Sequence, residues 1–166
     1  FQTHTALIHK LMKFTNLVED RSELALDPEG ESYHIQNLMY GHLLPVTEQV
    51  ALARGFGAGV AQRKNIQQAE RIEMAVFAGS MREKIAAIDD ELNSAYDYSA
   101  EFKSVSSQRN TALLAQLSSS ETLAVTNFVV PETISIDPKQ YFKDMTVVVD
   151  AAYALYDQLS ERLLQQ

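Results

Sequence analysis

DPKQYFKDMTVVVDAAYALYDQLSERLLQQ, residues 137–166, decides how the rest of the chain is read. Its first four residues, Asp137-Pro138-Lys139-Gln140, have the chemistry of a helix start. Asp can accept from free N–H groups. Pro suits the first helical position, where its missing donor is not needed, and Gln140 can reach back as in a capping box. Apolar side chains then fall at Phe142, Met145, Val149, Ala152, Tyr156, Leu159 and Leu163, in alternating steps of three and four. That is the spacing of an a/d seam. No Gly or Pro interrupts it. The segment is expected to be the output lever of a helical bundle and, still in register at Gln166, to continue in a longer parent protein.

Just upstream, Asn127 to Ile136 is the one extended stretch, with Phe128-Val129-Val130-Pro131 followed by Ile134-Ser135-Ile136. It reads as an ordered loop whose apolar residues cover a bundle end, with a β pair as the alternative. Before it, Leu113, Leu114, Leu117, Leu123 and Val125 mark a helical segment. Ser118 and Glu121 have capping-box spacing, which predicts a joint within that segment. Further back, Ile72, Val76, Met81, Ile85, Ile88, Leu92 and Ala95 form the apolar row of a third helix, capped by Asn65 with Gln68. From Tyr98 to Thr111 the pattern dissolves into polar and Ser-rich sequence. An unbroken helix of about 60 residues would be about 90 Å long, so a break is expected within 97–111.

The second helix is read from Pro28 to about Arg63, with Ile35, Leu38, Met39, Leu43, Val46, Val50 and Val60 on its apolar face. Pro45 removes a donor and crowds the Gly41 carbonyl, which predicts a kink. Gly55, Gly57 and Gly59 permit close approach of a neighbour or mark a bend. The first helix is read from about Gln2 to Leu26, with Leu7, Leu11, Phe14 and Val18 as its buried stripe and Leu24 and Leu26 closing it; Asp27-Pro28 ends it. The core is expected to include Leu11, Phe14, Val18, Leu38, Val50, Ile72, Val76, Ile85, Ile88, Leu92, Leu117, Met145, Val149, Ala152 and Leu159. The architecture is therefore all-α: an antiparallel four-helix-type bundle of long helices, in one domain spanning 1–166, with the third segment broken near 97–111.

The 166 residues suit one domain. With 46% hydrophobic and 22% charged residues the chain can fill a core and stay soluble. A formal net charge of −8 argues against nucleic-acid partners, whose phosphates need basic patches. The absence of Cys removes disulfides and thiol chemistry. No run approaches the ~18 apolar residues of a membrane span. The start at Phe1, inside a helical pattern, suggests an excised or processed piece.

Catalytic and metal constellations are not found. His4 and His9 are five apart and His34 and His42 eight apart, whereas helical ligand pairs sit about three or four apart. Asp89-Asp90-Glu91 and Glu19-Asp20 read as solvated faces, since adjacent helical residues point in different directions. The Glu plus Glu-x-x-His pattern of di-iron bundles is missing, as is a Gly-x-Ser-x-Gly elbow. Gly55-Phe56-Gly57 lacks the preceding strand of a nucleotide loop. No catalytic residue, no metal and no cofactor is expected. The polar set that can hold a ligand is Ser32, Tyr33, Asn37, Tyr40 and Arg54. Positions 33, 37 and 40 share one side of an α-helix, and His42 falls on another. Tyr and Asn can orient a small molecule in a cleft between helices, and Arg54 can clamp a carboxylate or similar anion. The competing reading is that the Tyr residues line the bundle rim and Arg54 is solvated.

Three stretches carry a resemblance: Ala25-Leu26-Asp27-Pro28-Glu29-Gly30-Glu31-Ser32-Tyr33; Leu44-Pro45 with Ala53-Arg54-Gly55-Phe56-Gly57-Ala58-Gly59; and Ile136-Asp137-Pro138-Lys139-Gln140-Tyr141-Phe142 with Ala154-Leu155-Tyr156-Asp157. In this order, over nearly the whole chain, they resemble the extracytoplasmic helical sensor region of bacterial transmembrane receptors. These are methyl-accepting chemotaxis receptors, sensor histidine kinases and diguanylate-cyclase-linked sensors. Related nitrate- and nitrite-sensing bundles carry an Arg-containing motif on an earlier helix, which Arg54-Gly55 matches only superficially. The resemblance implies a periplasmic location, tethering by flanking membrane segments, a parallel homodimer, and a small-molecule ligand such as an anion or organic acid, relayed through the last helix. A protein-binding helical scaffold without a small ligand is the alternative.

Overall fold

The computed structural model describes residues 2–21 and 30–165. Among them no strand occurs. Helix α1 spans Gln2–Arg21. A long rod follows: α2, Gly30–Gln36, then a π-helical turn, Asn37–Leu43, then α3, Leu44–Arg63. Helix α4 is Gln68–Tyr98, α5 is Ala100–Ala124 and runs into a second π-helical turn, Val125–Val129, and α6 is Pro138–Leu163.

Cross-helix contacts set the directions. Phe56 stacks edge-to-face on Phe77 while His34 meets Glu91, so α3 and α4 run antiparallel. Arg82 pairs with Glu121 and Asn110 with Tyr96, so α4 and α5 are antiparallel. Arg109 meets Gln158, and Arg162 lies over Phe102, which reverses α6 on α5. Finally Tyr141 bonds to Ala53, and Arg162 pairs with Glu31 at the far end of the rod. The four rods thus close into an up-down-up-down ring of the kind that packs a/d-type positions inward.

Local chemistry explains the ends. The Asp137 carboxylate accepts from the Gln140 N–H at 2.8 Å, as a cap before Pro138 should. The Gln140 side chain turns instead down the helix to Asp144, so the capping box is not completed. At α4 the box is formed by Gln67 and Glu70, not by Asn65 and Gln68. Ser99 is the break expected within 97–111: its backbone is extended and its hydroxyl accepts from the Phe102 N–H at 3.1 Å, which restarts the chain as α5. No joint occurs at Ser118, because α5 runs unbroken past it.

The disturbance at Pro45 takes a specific form. Pro45 offers no N–H to the Gly41 carbonyl, so the ordinary ladder fails there. The preceding turn adopts the wider i→i+5 pattern, with the Leu44 N–H on the Met39 carbonyl. The stretch 127–136 is not a β pair. It is the end of the second π turn and an irregular loop, with Phe128 and Ile134 buried against the bundle end. Arg71 ties that loop down, donating from Nη1 to the carbonyls of Phe128 (3.0 Å), Val129 (2.8 Å) and Pro131 (2.7 Å).

The core contains Leu38, Val50, Ile88, Leu92, Leu117, Met145, Val149, Ala152 and Leu159, as expected, and Ile85 packs at its edge. Two groups depart. Leu11, Phe14 and Val18 are exposed, because α1 lies outside the ring and buries none of its described side chains. Ile72 and Val76 are also exposed. Stepping back from Met81 by three and four residues leads to Ala78 and Met74, which are the buried positions; Ile72 and Val76 belong to a neighbouring row that ends at Glu83. The expected close of the first helix at Leu24, Leu26 and Asp27-Pro28 lies outside the described residues.

Candidate functional site

The expected polar set does not gather in one place. Tyr33 is exposed, its ring edge-to-face with His34. Asn37 donates from Nδ2 to Glu91 Oε2 at 2.6 Å, and Tyr40 stands edge-to-face with Tyr156. Ser32 is buried. Arg54 lies fourteen residues beyond Tyr40, about 20 Å farther along the rod.

Around Asn37 the structure builds a network that α-helical reasoning misses. His34 Nδ1 lies 2.7 Å from Glu91 Oε1, and His42 Nε2 lies 3.7 Å from Glu91 Oε2. An α-helical wheel puts His42 on another side. The π turn, with its i→i+5 repeat, brings position 42 round beneath position 37. Pro45 and Gly41 were the signal from which that turn could have been foreseen. Two imidazoles and a carboxamide converge on one carboxylate, but among the described residues no group of three or more His, Asp or Glu is arranged to hold a metal.

Arg54 belongs to a different place. Helix α1 leans over the groove between α3 and α6 and leaves a cleft of about 640 Å³. Its walls come from His4, Thr5, Ile8, Leu11, Met12 and Thr15 of α1, from Leu44, Thr47, Glu48, Ala51, Leu52, Arg54 and Gly55 of α3, and from Phe142, Val149 and Tyr153 of α6. The Arg54 guanidinium lies 4.7 Å from the centre of the Phe142 ring. Its Nη1 donates to Thr146 Oγ1 at 3.0 Å, and that hydroxyl donates on to the Phe142 carbonyl at 2.7 Å. Arg54 Nε is buried and has no hydrogen-bond partner. Arg71, Arg109 and Arg162, by contrast, direct their groups to protein acceptors.

One turn and a half away on α3, Glu48 is 8% exposed, and its Oε1 is buried without a hydrogen-bond partner. The imidazole of His9 on α1 stands beside it, with Nε2 at 3.7 Å. Burial pushes the Glu48 carboxyl above its ordinary range, and the nearby His9 and His4 partly oppose that. Arg54 and Glu48 thus both line the cleft among mainly apolar residues, and each carries a buried polar atom without a hydrogen-bond partner.

A family model described as nitrate and nitrite sensing matches residues 1–164. No curated protein and no solved structure matches the chain.

Proposed function

This chain belongs to the nitrate and nitrite sensing (NIT) family, and we propose that it binds one of those oxyanions at Arg54 and relays the event through α6. As a NIT domain it is an extracytoplasmic, periplasmic sensor region of bacterial signalling proteins, and not a catalyst. The observation that carries the site is Arg54 Nε, a buried cationic N–H without a partner on a residue that lines the cleft. An unpaired buried donor costs about 1–3 kcal/mol, more when charged, and an oxyanion would remove that penalty. A planar guanidinium also complements a flat oxyanion better than a point charge does.

The coupling to α6 follows from what else Arg54 touches. The guanidinium rests on Phe142 and Thr146, both in the first turns of α6. An anion drawing on Arg54 alters what fastens α3 to α6. To signal, it must bind two bundle arrangements with different affinity, and a small slide or rotation of α6 is the fitting motion. Tyr33, Asn37 and Tyr40 lie outside this site in our reading; Asn37 instead steadies the π turn through Glu91. The unit acts as a single domain within a membrane-tethered receptor of the chemotaxis or histidine-kinase type.

Pairing of two copies is supported by the face of α1 turned away from the bundle. Leu7, Phe14 and Val18 are exposed there, and Leu11 stands at the edge of that face, over the cleft, so that the four follow steps of four, three and four. That is the seam of a two-stranded coiled coil. Thermal unfolding in nitrate, nitrite, chloride, sulfate and acetate tests the sensing reading. A ligand at 100 times its Kd stabilises by about 2.7 kcal/mol, so nitrate or nitrite should raise Tm by several degrees while chloride does not. An unmoved Tm in both, with a tight protein partner found on the same chain, overturns sensing in favour of a scaffold.

A further inference from the structure

We propose that the cleft beneath α1 takes a second class of ligand, a small organic cation with an apolar body, its ammonium group seated on Glu48. This stands apart from the oxyanion reading of Arg54 and does not need it.

The cleft is far larger than an oxyanion of three or four atoms can fill. At about 640 Å³ it falls within the range of small-molecule pockets. Most of its lining is apolar, with Ile8, Met12, Leu52 and Val149 among the residues that bound the space. Such walls favour an alkyl or aryl body by about 25 cal/mol per Å² removed from water.

The polar end of that space is Glu48. Its Oε1 is buried without a hydrogen-bond partner, and the polar groups described around it are engaged elsewhere or stand farther off. The adjacent Thr47 hydroxyl donates to the Leu43 carbonyl at 2.7 Å, and Arg54 is turned to Phe142 and Thr146 on α6. His9 stands at 3.7 Å, beyond hydrogen-bond reach. An unpaired carboxylate oxygen in an apolar chamber is the complement of an ammonium N–H, a charge-assisted bond of the strong kind. An acid entering there meets repulsion, and a neutral alcohol gains no charge.

Calorimetric titration of the chain with 2-phenylethylammonium tests this, with 2-phenylethanol and 3-phenylpropionate as neutral and anionic matches. The ammonium probe should bind saturably and the alcohol at least tenfold more weakly; any binding of the acid, which can go to Arg54, should survive Glu48→Gln. Glu48→Gln keeps the shape and removes the charge, so it should weaken the ammonium probe at least tenfold and leave any nitrate response in place. The comparison among the three probes on the unmodified chain decides the matter whether or not the variant folds. No saturable binding of the ammonium probe overturns the proposal, as does equal binding of the alcohol, or unchanged binding by folded Glu48→Gln.

Discussion

Gly57 lies beneath the ring of Tyr141: a Cβ there would fall 2.5 Å from Tyr141 Cε1. That missing side chain lets α6 lie close against α3, and the Tyr141 hydroxyl donates to the Ala53 carbonyl at 2.9 Å. Burial raises the Tyr141 phenol, so the proton stays on the donor. Gly57→Ala gains roughly 1 kcal/mol of helix propensity but drives a buried ring from its seat, an overpacking cost of about 1–3 kcal/mol or more. The net expectation is destabilisation. Gly59 is exposed and a Cβ there meets nothing closer than 3.9 Å, so Gly59→Ala should stabilise by up to about 1 kcal/mol. Urea midpoints of the two variants should move in opposite directions.

Arg71 holds the loop ahead of α6 through three carbonyls. Arg71→Met keeps most of the aliphatic stem and removes the donors. Hydrogen bonds to a charged group are worth about 1.5–3 kcal/mol each at most, and three acceptors sharing one nitrogen are not additive. A loss of about 2–3 kcal/mol is expected. Hydrogen exchange should rise across 130–137 before it rises in the α4–α5 pair. Uniform acceleration over the whole chain would mean that Arg71 does not act locally.

Stability should depend on pH through Glu48. Its carboxyl is raised from the ordinary 4.5 by burial, with His9 and His4 opposing in part. The folded chain holds that proton more tightly than the unfolded chain. The group's stabilisation is therefore complete below the unfolded value and is lost as pH rises through the folded one. Glu48→Gln cannot titrate. Its advantage over the parent chain should be larger at about pH 8 than at about pH 4, read from urea midpoints. An advantage equal at the two pH values, or larger in acid, contradicts the assignment.

The outer seam of α1 predicts association. Phe14 is 63% exposed and lies mid-seam. Phe14→Glu puts a charge at a coiled-coil core position, so sedimentation should show dimer giving way to monomer with helix content unchanged. A parent chain that stays monomeric at high concentration would remove this face from the pairing.

How much of this could be read from residues alone depends on what kind of signal each part left. The Asp137-Pro138 start and the apolar row to Leu159 give α6 directly, because capping and periodicity act locally. The break at Ser99 was legible as a lapse in pattern. Part of that lapse comes from a buried row occupied by polar residues, Ser106 and Asn110, whose Nδ2 donates to Tyr96 and to Ser106. Helix α1 was misread because an apolar stripe tells that a face wants covering, not what covers it. Ile72 and Val76 failed because two apolar rows ran side by side and hydrophobicity alone did not choose between them. Arg54, singled out for its chemistry, lines the cleft proposed as the site. Glu48 was missed because a single Glu in a helix carries no sign of burial, and His42 because the wheel assumed the wrong turn.

The central claim is that Arg54 receives the anion and hands the event to α6. Calorimetric titration of nitrate into the chain and into Arg54→Ala, each with its urea midpoint measured, tests it most directly. The account predicts saturable binding to the parent chain, loss of at least a factor of ten in Arg54→Ala, and a midpoint that shows the variant still folded. Nitrate bound by folded Arg54→Ala with undiminished affinity would contradict it.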